Sequence, residues 1–92
     1  MKITIDGNKI TTRDELHSFL AEKLSFPDTY GRNLDALFDC LTDIHTETEI
    51  EIINDKELEE NLGNYAKALE KVFTQASKEN AYITCKKQKN VK

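Results

Sequence analysis

The chain has 92 residues, of which 38% are hydrophobic and 33% charged, with a formal net charge of −4. This length predicts one small domain over residues 1–92, and a membrane-spanning helix is excluded because no apolar run approaches ~20 residues. Asp6 interrupts the apolar start that a secretory signal needs, and Cys40 and Cys85 are too few for a disulfide scaffold, so we expect a cytoplasmic protein with reduced thiols.

The N-terminal third predicts a strand followed by a helix. Residues 2–5 alternate isoleucine with polar side chains, which is typical of a half-buried strand, and the turn signal at residues 6–8 follows. Thr12 and Glu15 have the spacing of a helix capping box. Apolar side chains then recur at helical spacing, which predicts a first helix that runs to about Leu24.

The rest of the chain predicts three more helices and two more strands. Asn33 is a favourable N-cap for a second helix, and residues 49–53 predict a second strand. A short third helix capped by Asn54 or Asp55 and a longer fourth helix follow, before a last strand at 81–85. Strands separated by helices cannot be hairpin partners, so the order β-α-α-β-α-α-β predicts an α/β fold with a small three-stranded parallel sheet flanked by helices.

Charge is segregated along the chain. Residues 28–60 contain eleven acidic and two basic side chains, a net charge of −9, whereas the other residues together carry +5. Such a segment either attracts a basic partner or forms a solvated surface that only aids solubility. The one basic cluster, residues 86–92, is expected to be a frayed tail, so nucleic acid is not a predicted partner.

Three aspartates share one side of the predicted second helix. Asp35, Asp39 and Asp43 recur every four residues, and each like-charged pair at this spacing costs about 0.2–0.5 kcal/mol. No lysine or arginine compensates for them between Arg32 and Lys56. Because an unfavourable local choice without visible compensation tends to mark function, this acidic ridge (Asp35, Asp39 and Asp43) is a candidate site.

Three kinds of site could use such a ridge. A metal site needs ligands that converge, and side chains along one straight helix diverge. A catalytic carboxylate pair needs a pocket or a nearby histidine, and nothing in the sequence places His17 or His45 beside the ridge. A binding surface needs only charged carboxylates on a rigid helix, so we predict a binding protein without metal or cofactor and not an enzyme.

The apolar stripe of the same helix has a structural interpretation. Leu37 and Leu41 are predicted core residues, whereas Leu34 and Phe38, at the edge of the stripe, can serve both core and contact surface. His17, next to an apolar residue of the first helix, is predicted to be a hydrogen-bonded helix histidine.

The sequence YGRNLDALFDCLT at residues 30–42 closely resembles the central motif of the barstar family of ribonuclease inhibitors. Similar segments at residues 14–17, 26–27 and 72–73 extend the resemblance over nearly the whole chain. The resemblance implies the same fold that the order of elements predicts, a three-stranded parallel sheet with flanking helices.

The resemblance also implies a mechanism, in which the second helix and the loop before it block the active site of a ribonuclease. Asp39 then takes the place of a substrate phosphate, Asp35 pairs with a donor on the rim, and Thr42 adds a polar contact. The implied contact residues are Thr29, Tyr30, Asn33, Leu34, Asp35, Phe38, Asp39, Thr42, Asp43 and Gln75. Thr29, Asp43 and Gln75 differ from the usual residues of the family and leave the identity of the target enzyme open.

The sequence therefore predicts a cytoplasmic inhibitor that is monomeric alone and forms a 1:1 complex with a basic ribonuclease of the extracellular or toxin type. No nucleic acid, membrane or cofactor takes part. The alternative is an immunity or regulatory module that binds a basic non-nuclease toxin or protein through the same face.

Overall fold

A computed structural model describes residues 1–88 and has the predicted order of strands and helices. The elements are β1 (Lys2–Asp6), α1 (Arg13–Leu24), α2 (Leu34–Thr42), β2 (Thr48–Ile53), α3 (Asp55–Leu62), α4 (Asn64–Glu79) and β3 (Ile83–Lys87). None of the helices over these residues has the length and apolar character needed to cross a membrane.

The three strands form one parallel sheet in the order β1-β2-β3, which confirms the predicted fold class. Ile3 lies opposite Ile50, and Ile5 lies opposite Ile52. All four isoleucines are buried, because alternate residues of a strand point to the same face. The helices complete the core with pairs of buried side chains, namely Leu16 and Leu20, Leu37 and Leu41, Leu58 and Leu62, and Leu69 and Phe73.

Side-chain caps fix the starts of α1 and α2. The Thr12 hydroxyl accepts a hydrogen bond from the Glu15 N–H at 3.1 Å, as the capping box predicts. Glu15 in turn accepts from both the N–H and the hydroxyl of Thr11 at 2.8 Å, and these bonds lower the pKa of its carboxyl. Asn33 Oδ1 accepts from the Ala36 N–H at 2.8 Å, so α2 begins where the sequence predicts.

Helix α3 begins directly after Asn54, as predicted, but the Asn54 side chain does not cap it. Asn54 occupies the N-cap position with a left-handed backbone, φ 53°, and makes no side-chain capping bond. Its side-chain N–H₂ donates instead to Asp6 Oδ1 at 2.8 Å. Asn54 therefore joins the end of β2 to the end of β1, a long-range contact that the local sequence does not contain.

The last strand begins two residues later than predicted, because Asn80 forms a turn before it. Asn80 Oδ1 accepts from the Tyr82 N–H at 2.9 Å, and the Asn80 carbonyl accepts from the Ile83 N–H at 3.0 Å. The predicted frayed tail is consequently wrong for Lys86 and Lys87, which belong to β3. Their ammonium groups lie 2.9 Å from Glu49 and 3.3 Å from Glu70, respectively, and residues 89–92 of that predicted tail lie outside the described residues.

Candidate functional site

Helix α2 has a buried face and a charged face. Leu37 and Leu41 have no exposed surface, which confirms them as core residues. Asp35 and Asp39 are exposed on the other side of the helix, and Asp43, also exposed, is the C-cap. Within residues 1–88 none of these three aspartates makes an ion pair, and the last turn of α2 has no basic residue.

The acidic ridge runs between two depressions. The first, which we call the α2–α4 groove, is lined by Leu34, Asp35, Phe38, Asp39, Lys71, Val72 and Gln75. The second, on the side of the loop after α1, is lined by Leu24, Ser25, Phe26, Pro27, Asp39, Cys40, Asp43 and Ile44. Asp39 belongs to both depressions and therefore stands at the crest between them.

The α2–α4 groove brings together half of the predicted contact residues, namely Leu34, Asp35, Phe38, Asp39 and Gln75. Leu34 and Phe38 are half-buried, in agreement with a position between core and surface. The groove therefore places two carboxylates beside two apolar side chains, and Lys71 and Gln75 line it from α4.

The other predicted contact residues lie around this groove. Thr29 is exposed in the loop before α2, and Asp43 lines the second depression. Asn33 is exposed, but its side chain is occupied in capping α2. The Thr42 hydroxyl donates within its own helix, to the Phe38 carbonyl 3.0 Å away. The hydroxyl oxygen of Thr42 therefore remains free to accept a hydrogen bond.

Tyr30, another predicted contact residue, lies mostly in the interior. Its side chain is only 8% exposed, and its hydroxyl lies 2.6 Å from His17 Nδ1. The Tyr30 ring also packs on Phe26, with ring centroids 4.8 Å apart. The side chain of Tyr30 is thus largely part of the interior and holds the loop before α2 in place from inside.

His17 connects three segments through its two ring nitrogens. Nδ1 lies 2.6 Å from the Tyr30 hydroxyl, and Nε2 lies 2.7 Å from the Tyr65 hydroxyl. His17 is 2% exposed, which confirms the prediction of a hydrogen-bonded helix histidine. Burial lowers its pKa and the positive charge of Arg32 lowers it further, so the neutral ring is the stable form at pH 7.

Folding stability should therefore fall between pH 7 and pH 5. The unfolded chain binds a proton at the ordinary histidine pKa of 6.5, whereas folded His17 binds it only at lower pH. The contribution of neutral His17 is complete above pH 6.5 and is lost as the pH falls through the folded pKa. Urea unfolding at several pH values measures this change. We expect the free energy of unfolding to fall from pH 7 to pH 5 in the wild type and in the exposed-loop control His45→Gln, and to fall less in His17→Gln. An equal slope in His17→Gln would show that another group is responsible.

Arg32 positions the loop before α2, although it is not among the predicted site residues. It has a left-handed backbone, φ 57°, and its Nη2 lies 2.6 Å from Asp14 Oδ1 and 2.8 Å from Ser18 Oγ. These bonds attach the loop before α2 to α1. The signal was present in the sequence, since Arg32 is one of only two basic residues in the acidic segment 28–60.

The other end of α2 is fixed by Asn80. Its side-chain N–H₂ lies 2.9 Å from the carbonyls of both Leu41 and Ile44, and Asn80 is 8% exposed. With Asn33 capping the start, both ends of the helix are fixed. A binding surface that is already ordered loses little conformational entropy when it meets a partner.

The chemistry available at the site is recognition of positive charge. Among the described residues no three His, Cys, Asp or Glu side chains are placed to hold a metal ion. Burial raises the pKa of the Cys40 thiol, and the charge of Asp39 raises it further. Burial also raises the pKa of Cys85 to about 11, so both thiols are protonated at neutral pH and are poor nucleophiles.

Comparison with known proteins agrees with the resemblance of residues 30–42. The family model described as Barstar (barnase inhibitor) matches residues 1–90. A protein of Bacillus subtilis (strain 168) named "Putative ribonuclease inhibitor YrdF" is 61% identical over 41 residues, which are 45% of this chain and 45% of that protein. The alignment with that relative thus covers less than half of either protein.

Proposed function

The chain belongs to the barstar family, and on this premise we propose that it inhibits a small basic ribonuclease by covering the active site of the enzyme with α2 and the loop before it. The observation that carries the proposal is the acidic ridge. Asp35 and Asp39 are exposed and without ion pairs in the described residues, and both line a groove that cationic side chains of an enzyme can enter.

A carboxylate can occupy the place of an RNA phosphate because both present oxygen atoms that accept charge-assisted hydrogen bonds. Arginine binds either group with two parallel N–H donors. The carboxylate of Asp39 contains no phosphodiester to cleave, so the enzyme holds it without turnover. Family members inhibit and do not catalyse, which confirms the prediction that the chain is not an enzyme.

The rest of the proposal concerns how the complex forms. The net charge of −9 over residues 28–60 attracts a basic enzyme from a distance and orients its approach. The fixed ends of α2 keep the ridge in its binding geometry. The complex contains one inhibitor per enzyme. It forms in the cytoplasm, where the protonated thiols of Cys40 and Cys85 would stay reduced.

Inhibition of RNA cleavage tests this function. The purified chain is titrated into barnase and into a panel of small basic ribonucleases from the host organism. We expect at least one enzyme to lose all activity when one equivalent of the chain has been added. The association rate constant of that complex should fall about tenfold or more between low salt and 0.5 M NaCl, because salt screens the attraction. Full activity of every enzyme with excess chain at low salt would overturn the proposal and favour a non-nuclease basic partner.

A further inference from the structure

A second charged feature lies next to the acidic ridge, and it is positive. Arg13 is the first residue of α1, and its guanidinium carbon lies 4.2 Å from the centre of the Tyr65 ring. This is a cation–π contact, which holds the guanidinium over the face of the ring. The Tyr65 hydroxyl is in turn bonded to buried His17 at 2.7 Å, so the ring that supports Arg13 is itself fixed from the interior.

Arg13 is exposed, and its charge is not used within the described part of the chain. It makes no ion pair there, whereas Arg32 is bonded to Asp14 at 2.6 Å. An arginine whose orientation is already fixed loses less side-chain entropy on binding than a mobile one. Arg13 therefore presents a cation to whatever molecule covers this surface.

The surface around Arg13 is continuous with the proposed binding face. A concave region is lined by Arg13, Asp14, His17, Arg32, Asn33, Leu34, Asp35 and Tyr65. It shares Leu34 and Asp35 with the α2–α4 groove. A partner that covers the acidic ridge from Asp39 to Asp35 thus reaches the edge of the region that Arg13 lines.

We propose that Arg13, held on Tyr65, binds a carboxylate of the ribonuclease beside its cationic cleft. This inference rests on the proposed function and makes it more specific, because it describes the enzyme as a cationic centre with an acidic group next to it. A planar guanidinium pairs with a carboxylate through two hydrogen bonds. A polyanion is a poor candidate for this place, since Asp14 and Asp35 line the same region.

The unpaired cation also selects among enzymes. A ribonuclease that is positive over its whole surface would place like charge against Arg13, and such a contact is costly when water is excluded. An enzyme with a matching acid gains the contact instead. Arg13 would therefore narrow the set of targets that the acidic ridge alone attracts.

A charge reversal tests this by the sign of its effect. Arg13→Glu and the control Lys56→Glu each make the chain more negative by two charges, and each changes an exposed cation in the first turn of a helix. Lys56 makes no ion pair among the described residues and lines none of the three depressions around α2. Long-range attraction of a basic enzyme should rise similarly in both variants, so their difference reports the local contact.

The measurement uses the panel enzyme that the wild type inhibits most strongly, with association and dissociation rates recorded separately. We expect Lys56→Glu to associate slightly faster and to dissociate unchanged, and Arg13→Glu to bind about tenfold more weakly or worse through faster dissociation. Equal or tighter binding by Arg13→Glu would overturn the inference, while inhibition by the wild type would still support the proposed function. If Arg13→Glu does not fold, Arg13→Gln is compared with Lys56→Gln in the same way, and if the wild type inhibits no enzyme, both proposals fail.

Discussion

Replacing Asp39 with asparagine is expected to weaken inhibition of the target ribonuclease by about a hundredfold to several thousandfold without unfolding the inhibitor. In the complex its carboxylate would be buried among cationic groups of the enzyme. Removing one partner of a buried ion pair costs about 3–5 kcal/mol, because the remaining charges stay desolvated and unpaired. Asp39 is exposed in the free chain and stands at the crest between the two depressions, so the fold should tolerate an asparagine at this position.

The control for Asp39→Asn is Glu60→Gln. Glu60 is exposed on α3, makes no ion pair among residues 1–88, and lies in the same acidic segment. Both variants lose one negative charge with almost no change of volume, and their inhibition constants are compared at several salt concentrations. The Glu60 variant should differ from the wild type by less than about threefold, since distant charges are screened. Similar losses of inhibition in both variants would mean that inhibition depends on the overall charge of the chain and not on a specific contact of Asp39.

The architecture was predictable because its signals are local. Alternating isoleucines, the caps at Thr12 and Asn33 and the helical spacing of leucines each lie within a few residues of sequence, and each corresponds to a hydrogen bond or a buried side chain in the structure. The sequence does not reveal which side chains join distant segments. Asn54 bonds to Asp6, and Asn80 bonds to Leu41 and Ile44, contacts that no local window contains.

In the candidate site, too, some features are visible in the local sequence and others depend on distant contacts. Asp35 and Asp39 could be found from charge and helical spacing, since an unfavourable row of like charges is visible in the sequence. The motif alone could not tell which of its residues face outward. Tyr30 is a large aromatic residue in the loop before α2 and suggested a contact, but His17 provides a buried partner for its hydroxyl. That pair is 13 residues apart in the chain and is made by the packing of α1.

Arg13 and Arg32 illustrate why charge counts are insufficient. Both are basic residues near the same concave surface, and residue type alone does not tell which of the two charges is paired. In the structure Arg32 is bonded to Asp14 and serves the loop before α2, whereas Arg13 lies on an aromatic ring and presents its charge outward. The partners of each side chain, rather than its type, determine whether its charge is available to another molecule.

Replacing Leu37 with alanine is expected to lower the free energy of unfolding by about 2–5 kcal/mol, the usual range for a leucine lost from a packed core. Leu37 is fully buried, and it lies on the side of α2 opposite the acidic ridge. Small domains are stable by only about 5–15 kcal/mol, so the variant should have a clearly lower urea midpoint. Because Leu37 does not line either depression beside the ridge, its folded fraction should still inhibit the enzyme at low temperature.

Leu34→Ala is the matched control, since it makes the same substitution one helical turn earlier on α2. Leu34 is half-buried and lines the α2–α4 groove, so we expect a stability loss of roughly 1 kcal/mol together with weaker binding. We therefore expect the two leucines to have separate roles on one helix, with Leu37 stabilising the fold and Leu34 contacting the enzyme. Equal stability losses with unchanged inhibition in both variants would contradict this orientation of α2, and with it the position of Asp35 and Asp39 on the binding face.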